Sequence, residues 1–200
     1  SNSSAASDVY KRQPSQLAKE DFEAIFSHIY KVYKVTPNAE ITLEANPDDL
    51  TSEYISMLRT FPFNRISMGI QTFQETTLKQ LQRRHTADQA IRAFQGCRTA
   101  GFQNISIDLM YGLPGETLTS WKKDLKQALS LHPEHISAYH LIYEEGTPLW
   151  KLREQHKVEE ADEDLSVSLF GTLIDELTTA GYEHYEISNF CLLYTSDAAD

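Results

Sequence analysis

Between residues 41 and 141, runs in which every second side chain is apolar alternate with runs in which apolar side chains recur every three or four residues. A period of two belongs to a strand buried on one face, and a period near 3.6 to an amphipathic helix. A chain that switches repeatedly between them, with one helical crossover per strand, is committed to an α/β fold with parallel strands.

The strand runs are Ile41, Leu43 and Ala45 against Thr42, Glu44 and Asn46; Ile66, Met68 and Ile70 against Ser67, Gly69 and Gln71; Ile105, Ile107 and Leu109 against Ser106 and Asp108; and Ile136 to Leu141. Pro47 ends the first, having no N–H for a ladder. Helical spacing links Phe22, Ile25, Phe26, Ile29 and Tyr33, with Ser15 as the expected N-cap. Thr51 caps the next helix, with Leu50 and Ile55 as a hydrophobic staple, and a short helix spans Gln74 to Leu81. Thr86 and Gln89 have capping-box spacing ahead of Ala90, Ile91, Phe94 and Cys97, with Gly101 closing the helix and Cys97 on its buried stripe. Two more helices follow, one carrying Leu118, Trp121, Leu125, Ala128 and Leu129, the other running from Leu165 to Leu177 up to Gly181; Tyr185 and Ile187 suggest a further strand.

Two architectures fit this order: a closed or partial (β/α) barrel, and an open doubly wound sheet. The second is disfavoured because no glycine-rich dinucleotide fingerprint follows any strand. In three successive strands the polar parity carries Glu44, Gln71 and Asp108 toward the carboxyl end. A barrel would point all three inward at the mouth where βα loops build active sites; solvated ends of half-exposed strands are the plain alternative. Arg83 and Arg84 precede a capped helix, from where a guanidinium reaches a carboxylate or an anionic ligand group. The loop from Tyr111 to Glu116, with Gly112 and Gly115, brings backbone close to a ligand or simply turns.

The remaining patterns exclude chemistries. Seven histidines show no HxH or HExxH spacing, and neither a GxSxG elbow nor a Walker loop is present. A formal charge of -11 argues against unassisted binding to nucleic acid or an anionic membrane. No apolar run approaches the ~20 residues of a transmembrane segment, and no secretory leader opens the chain. Cys97 and Cys191 form neither a disulfide framework nor a metal spacing, so a reducing, cytoplasmic setting is expected. Residues 1–13 lack any amphipathic period, and at 191 the pattern changes abruptly; both 1–13 and 191–200 read as non-native tails around a single unit spanning 14–190.

Six ordered strings carry a resemblance: LEANPDDL at 43–50, NRISMGIQTF at 64–73, LQRRHT at 81–86, IDLMYGLPGET at 107–117, HISAYHLIYEEGTPL at 135–149 and YEHYEISNF at 182–190. Together they resemble the radical S-adenosylmethionine (radical SAM) proteins of the oxygen-independent coproporphyrinogen III oxidase and HemW-like group. The resemblance implies a partial (β/α)6 barrel with parallel strands, of which the N-terminal two are missing here. Pro14-Ser15-Gln16-Leu17 resembles the end of that group's GGGTPSQL stretch, with Gln13 in place of threonine.

By the same resemblance, Glu44 matches the residue that holds a ribose of S-adenosylmethionine; Gln71, Arg83 and Asp108 match further contacts to that cofactor, and Ile142 a position near its adenosyl group. The group's chemistry runs through a 4Fe-4S cluster on a CxxxCxxC motif, with the cofactor doing the radical chemistry and the protein orienting it. That motif is absent here, so the cluster ligands would lie in a longer parent protein. The EANP and YEISNF wording resembles the haem chaperone branch, which binds haem and passes it to haem-acceptor proteins; the alternative is the oxidase of porphyrin biosynthesis, acting on coproporphyrinogen III. Missing strands would leave an open sheet edge, for which poor solubility is expected.

Overall fold

The computed structural model describes residues 14–192. The four expected strand runs form β1 (Thr42–Ala45), β2 (Arg65–Gln71), β3 (Asn104–Tyr111) and β4 (His135–His140), each parallel to the next. The sequence anticipated one more strand; a hairpin, β5 (Tyr182–Glu186) and β6 (Asn189–Leu192), is present instead, and β6 joins β4 antiparallel. Ile187 lies in the turn between them, 73% exposed, and not in a strand. The order among the described residues is β1-β2-β3-β4-β6-β5, with β1 at one edge. Cys191 and Leu192, grouped with the tail by the change of character at 191, are the last residues of β6, Cys191 opposite His135. The rest of that tail, and the tail at 1–13, lie outside the described residues.

The helices are α1 (Lys19–Val32), α2 (Ser52–Leu58), α3 (Glu75–Gln80), α4 (Ala87–Thr99), α5 (Leu118–Ser130), α6 (Pro148–Glu154) and α7 (Glu163–Thr179), with single 3-10 turns at Pro14–Gln16 and Pro47–Asp49. The Thr51 hydroxyl accepts from the Tyr54 N–H at 3.2 Å, and Thr86 and Gln89 form the expected reciprocal box. Ser15 does not cap α1: it sits three residues too early and donates to Asp49 at 2.8 Å, while Ala18 occupies the cap. Helix α6, in a segment to which the sequence pattern assigned no element, starts on Pro148 behind a Thr147 cap.

Burial decides between the two architectures. In β2, Ile66, Met68 and Ile70 are fully buried in one core with Leu58, Phe94, Ile107, Leu125 and Leu173, while Arg65, Ser67, Gly69 and Gln71 on the other parity are only partly buried. A doubly wound sheet would bury both faces of its central strands; one packed face and one polar face is the pattern of a barrel wall. Trp121 of α5, fully buried, donates its ring N–H to the Leu169 carbonyl of α7 at 3.0 Å and ties the outer helices together. Among the described residues, no helix is long and apolar enough to cross a membrane.

Candidate functional site

Strand register assembles the site from residues far apart in sequence. Glu44 of β1 pairs with Ser67 of β2, and Gly69 of β2 pairs with Asp108 of β3, which pairs in turn with Ser137 of β4. Because partners in a ladder point to the same face, the polar parity forms a patch across the four parallel strands. A cavity of about 160 Å³ opens on it, lined by Pro14, Ser15, Glu44, Asn46, Gln71, Arg83 and Asp108 among others. Four of the five residues singled out from the sequence therefore share one cavity. Ile142 is not among its lining residues and is 75% exposed.

Asp108 and Arg83 are the most buried charged groups of the lining that shift from their ordinary values. Burial pushes the Asp108 carboxyl up; hydroxyls of Ser137 and Ser67 donate to it and pull the other way, and the neighbouring Glu44 carboxylate adds to the rise. Two carboxyl groups sharing a partly buried space favour a ligand that brings hydroxyl, ammonium or other cationic groups. Burial lowers the Arg83 pKa, opposed by Asp48. Its Nη2 donates to Asn46 Oδ1 at 2.7 Å and to the Gly69 carbonyl at 2.9 Å. A Cβ at Gly69 would sit 3.1 Å from Gln71 Nε2 and 3.4 Å from Arg83 Nη2, so the glycine keeps this wall open.

The other candidates have different partners. Arg84 turns to Asp48 at 2.9 Å and Asp49 at 3.0 Å and does not line the cavity. In the Tyr111 to Glu116 loop, the Gly112 and Leu113 N–H groups both donate to the Glu116 carboxylate, at 2.7 and 3.3 Å, so the loop satisfies its own backbone and acts as a turn. Sequence reasoning passed over Asn46, Ser67, Gly69 and Ser137. Ser67 and Gly69 share the parity of Gln71, and Asn46 that of Glu44, so that signal was available; the bond from Arg83 to Asn46 is what no spacing reveals.

The donor set fits a polar organic ligand and does not fit an iron-sulfur cluster. Among the described residues, no group of three His, Cys, Asp or Glu is placed to hold a metal ion, and Cys97 is buried in the core.

The fold has the form of a radical SAM barrel wall, and the chain belongs to the radical SAM superfamily, whose family model matches residues 14–128. It is similar to the heme chaperone HemW of Lactococcus lactis, 37% identical over 179 residues that cover 90% of this chain and 47% of the relative. The heme chaperone HemW of Bacillus subtilis is 35% identical over 178 residues, covering 88% and 47%. Among solved structures, the coproporphyrinogen III oxidase of Escherichia coli, described as a radical SAM enzyme, superposes with a TM-score of 0.78 at 24% identity, over 90% of this chain and 41% of that one. The chain thus spans just under half the length of the curated relatives it matches.

Proposed function

We propose that this chain is the cofactor-holding wall of a HemW-like haem chaperone, and that its cavity binds S-adenosylmethionine. The observation that carries this reading is the convergence of Glu44, Gln71, Arg83 and Asp108 on one cavity in a chain matched by the radical SAM model. Glu44 and Asp108 are acceptors suited to ribose hydroxyls and to the ammonium and sulfonium charges of that ligand. The Gln71 amide offers both a donor and acceptor, and Arg83 holds Asn46 and the Gly69 carbonyl in place while adding positive charge for a carboxylate. In the whole protein, S-adenosylmethionine on a 4Fe-4S cluster would supply radical chemistry; the described residues offer no ligands for that cluster.

Haem and its acceptor proteins are the proposed partners of the longer parent, a reading supported by the similarity to HemW proteins of two bacteria. The charge of -11 weighs against nucleic acid, and two unpaired cysteines support a cytoplasmic setting.

Calorimetric titration of the chain with S-adenosylmethionine tests the site. Saturable binding that weakens about tenfold or more in Glu44→Gln and Asp108→Asn is expected; equal heats in all three proteins would refute it. The parent protein would then be titrated with haem and assayed on coproporphyrinogen III. Haem binding without turnover is expected, and turnover without haem binding would move the assignment to the oxidase.

A further inference from the structure

The backbone that presents Gln71 is strained, and the group that holds it lies outside the cavity. Gln71 ends β2 with φ of +73°, and the Thr72 N–H donates to the Ile70 carbonyl at 3.0 Å, the hydrogen bond of a γ-turn. The β2–β3 register shifts at the same place, between Gly69 and Gln71. A residue with a Cβ stays in this region of φ only where its surroundings over-determine it.

Those surroundings converge on Asp124 of α5, which is fully buried. Its carboxylate accepts from the Thr72 hydroxyl, from the Phe73 N–H at 3.3 Å and from the Gln74 side-chain amide at 2.8 Å. Three donors from the three residues after Gln71 thus end on one carboxylate, and the Thr72 hydroxyl also accepts the Gln74 N–H at 3.0 Å. From the other side, His85 Nε2 lies 3.1 Å from the Ile70 carbonyl. Asp124 is not a lining residue of the cavity.

The choice of an acid here calls for an explanation beyond packing. Trp121, Asp124, Leu125 and Ala128 form the buried stripe of α5, where an apolar side chain would bury more favourably than a carboxyl group. Only an acceptor with several lone pairs can satisfy three donors at once. Releasing them would let Gln71 relax to negative φ, which redirects its Cα–Cβ bond and carries the amide away from the cavity.

We propose that Asp124 is a positioning residue, which keeps the turn after β2 in its strained form and so aims the Gln71 amide into the cavity. The inference uses the S-adenosylmethionine reading only to choose a probe.

The test uses the chain with Asp124→Asn, Gln71→Gly and Gln71→Ala. Asparagine keeps the volume but places an NH2 among three donors. Backbone chemical shifts and the HN–Hα coupling of Gln71, measured without ligand, are expected to show positive φ in the unsubstituted protein and its loss in Asp124→Asn. Gln71→Gly relieves the strain and is expected to raise Tm by roughly 2–4 °C in the unsubstituted protein and not in the Asp124→Asn background.

With ligand, Asp124→Asn is expected to weaken S-adenosylmethionine binding about tenfold, and to weaken it no further once Gln71→Ala is present. Unchanged φ in a folded Asp124→Asn protein, or losses that multiply in the double variant, would overturn the proposal. If the unsubstituted chain does not bind the probe, the reading of the cavity fails, while the φ and Tm measurements still decide the role of Asp124. Thr72→Val removes one donor of the three and gives the same comparison at smaller amplitude if Asp124→Asn does not fold.

Discussion

Arg83 and Asn46 are joined by a 2.7 Å hydrogen bond from Nη2 to Oδ1, and the same nitrogen donates to the Gly69 carbonyl at 2.9 Å. One guanidinium therefore ties the end of β1 to β2 beside the cavity that both strands line. Arg83→Met keeps the stem and removes both donated bonds. A stability loss of about 1–3 kcal/mol is expected from the acceptors left without a donor, measured by urea denaturation. A variant as stable as the original would show that water replaces the guanidinium.

Gly112 and Gly115 share a φ of +72° but differ in what surrounds them: a Cβ at Gly112 would lie 2.6 Å from His140 Nε2, and one at Gly115 meets nothing within 4 Å. His140 has little freedom to withdraw, since its Nδ1 lies 2.8 Å from the Leu141 carbonyl and its Nε2 3.0 Å from the Ser166 hydroxyl. Gly115→Ala should lose about 1 kcal/mol from backbone conformation, and Gly112→Ala about 3 kcal/mol or more once the contact is added. Equal losses in denaturation curves would mean that His140 moves freely.

Glu116 links stability to pH. Burial pushes its carboxyl up to about 7 from an ordinary 4.5, against the pull of the Gly112 and Leu113 N–H groups, with Asp124 adding to the rise. Between those values the folded protein holds a proton that the unfolded chain has released, so the stabilisation is complete below 4.5 and is lost as pH rises through about 7. Relative to Glu116→Gln, the protein is expected to lose about 1–3 kcal/mol between about pH 5 and about pH 8. A difference that stays flat over this range would remove Glu116 as the titrating group.

The two thiols should differ in reactivity. Cys97 is fully buried, and burial pushes its pKa up to about 12, whereas Cys191 on β6 is partly exposed. A thiol reagent is expected to modify Cys191 in the folded protein and Cys97 only after denaturation. Mass spectrometry of peptides from the native protein decides this, and rapid labelling at Cys97 would show that α4 opens readily.

What could be read from the sequence was local. Alternation at 41–46, 66–70 and 105–109 settles which residues share a strand face, because successive side chains of a strand point to opposite sides; this is why Glu44, Gln71 and Asp108 stood out together, although Gln71 reaches the cavity from a backbone at positive φ, outside regular strand geometry. The caps at Thr51 and Thr86 were legible for the same reason, since donor and acceptor lie three residues apart.

Tertiary structure decided the rest. Which residues face each other across strands depends on register, so the Gly69, Asp108 and Ser137 row exists only once β2, β3 and β4 have paired. Nothing in the run from Tyr182 to Phe190 indicates that the chain doubles back antiparallel onto β4, because the partner lies about fifty residues earlier. Asp124 reads as an anomaly on an apolar stripe until the turn after β2 arrives with three donors. Local spacing encodes which way a side chain can point; only packing between distant segments determines what it meets there.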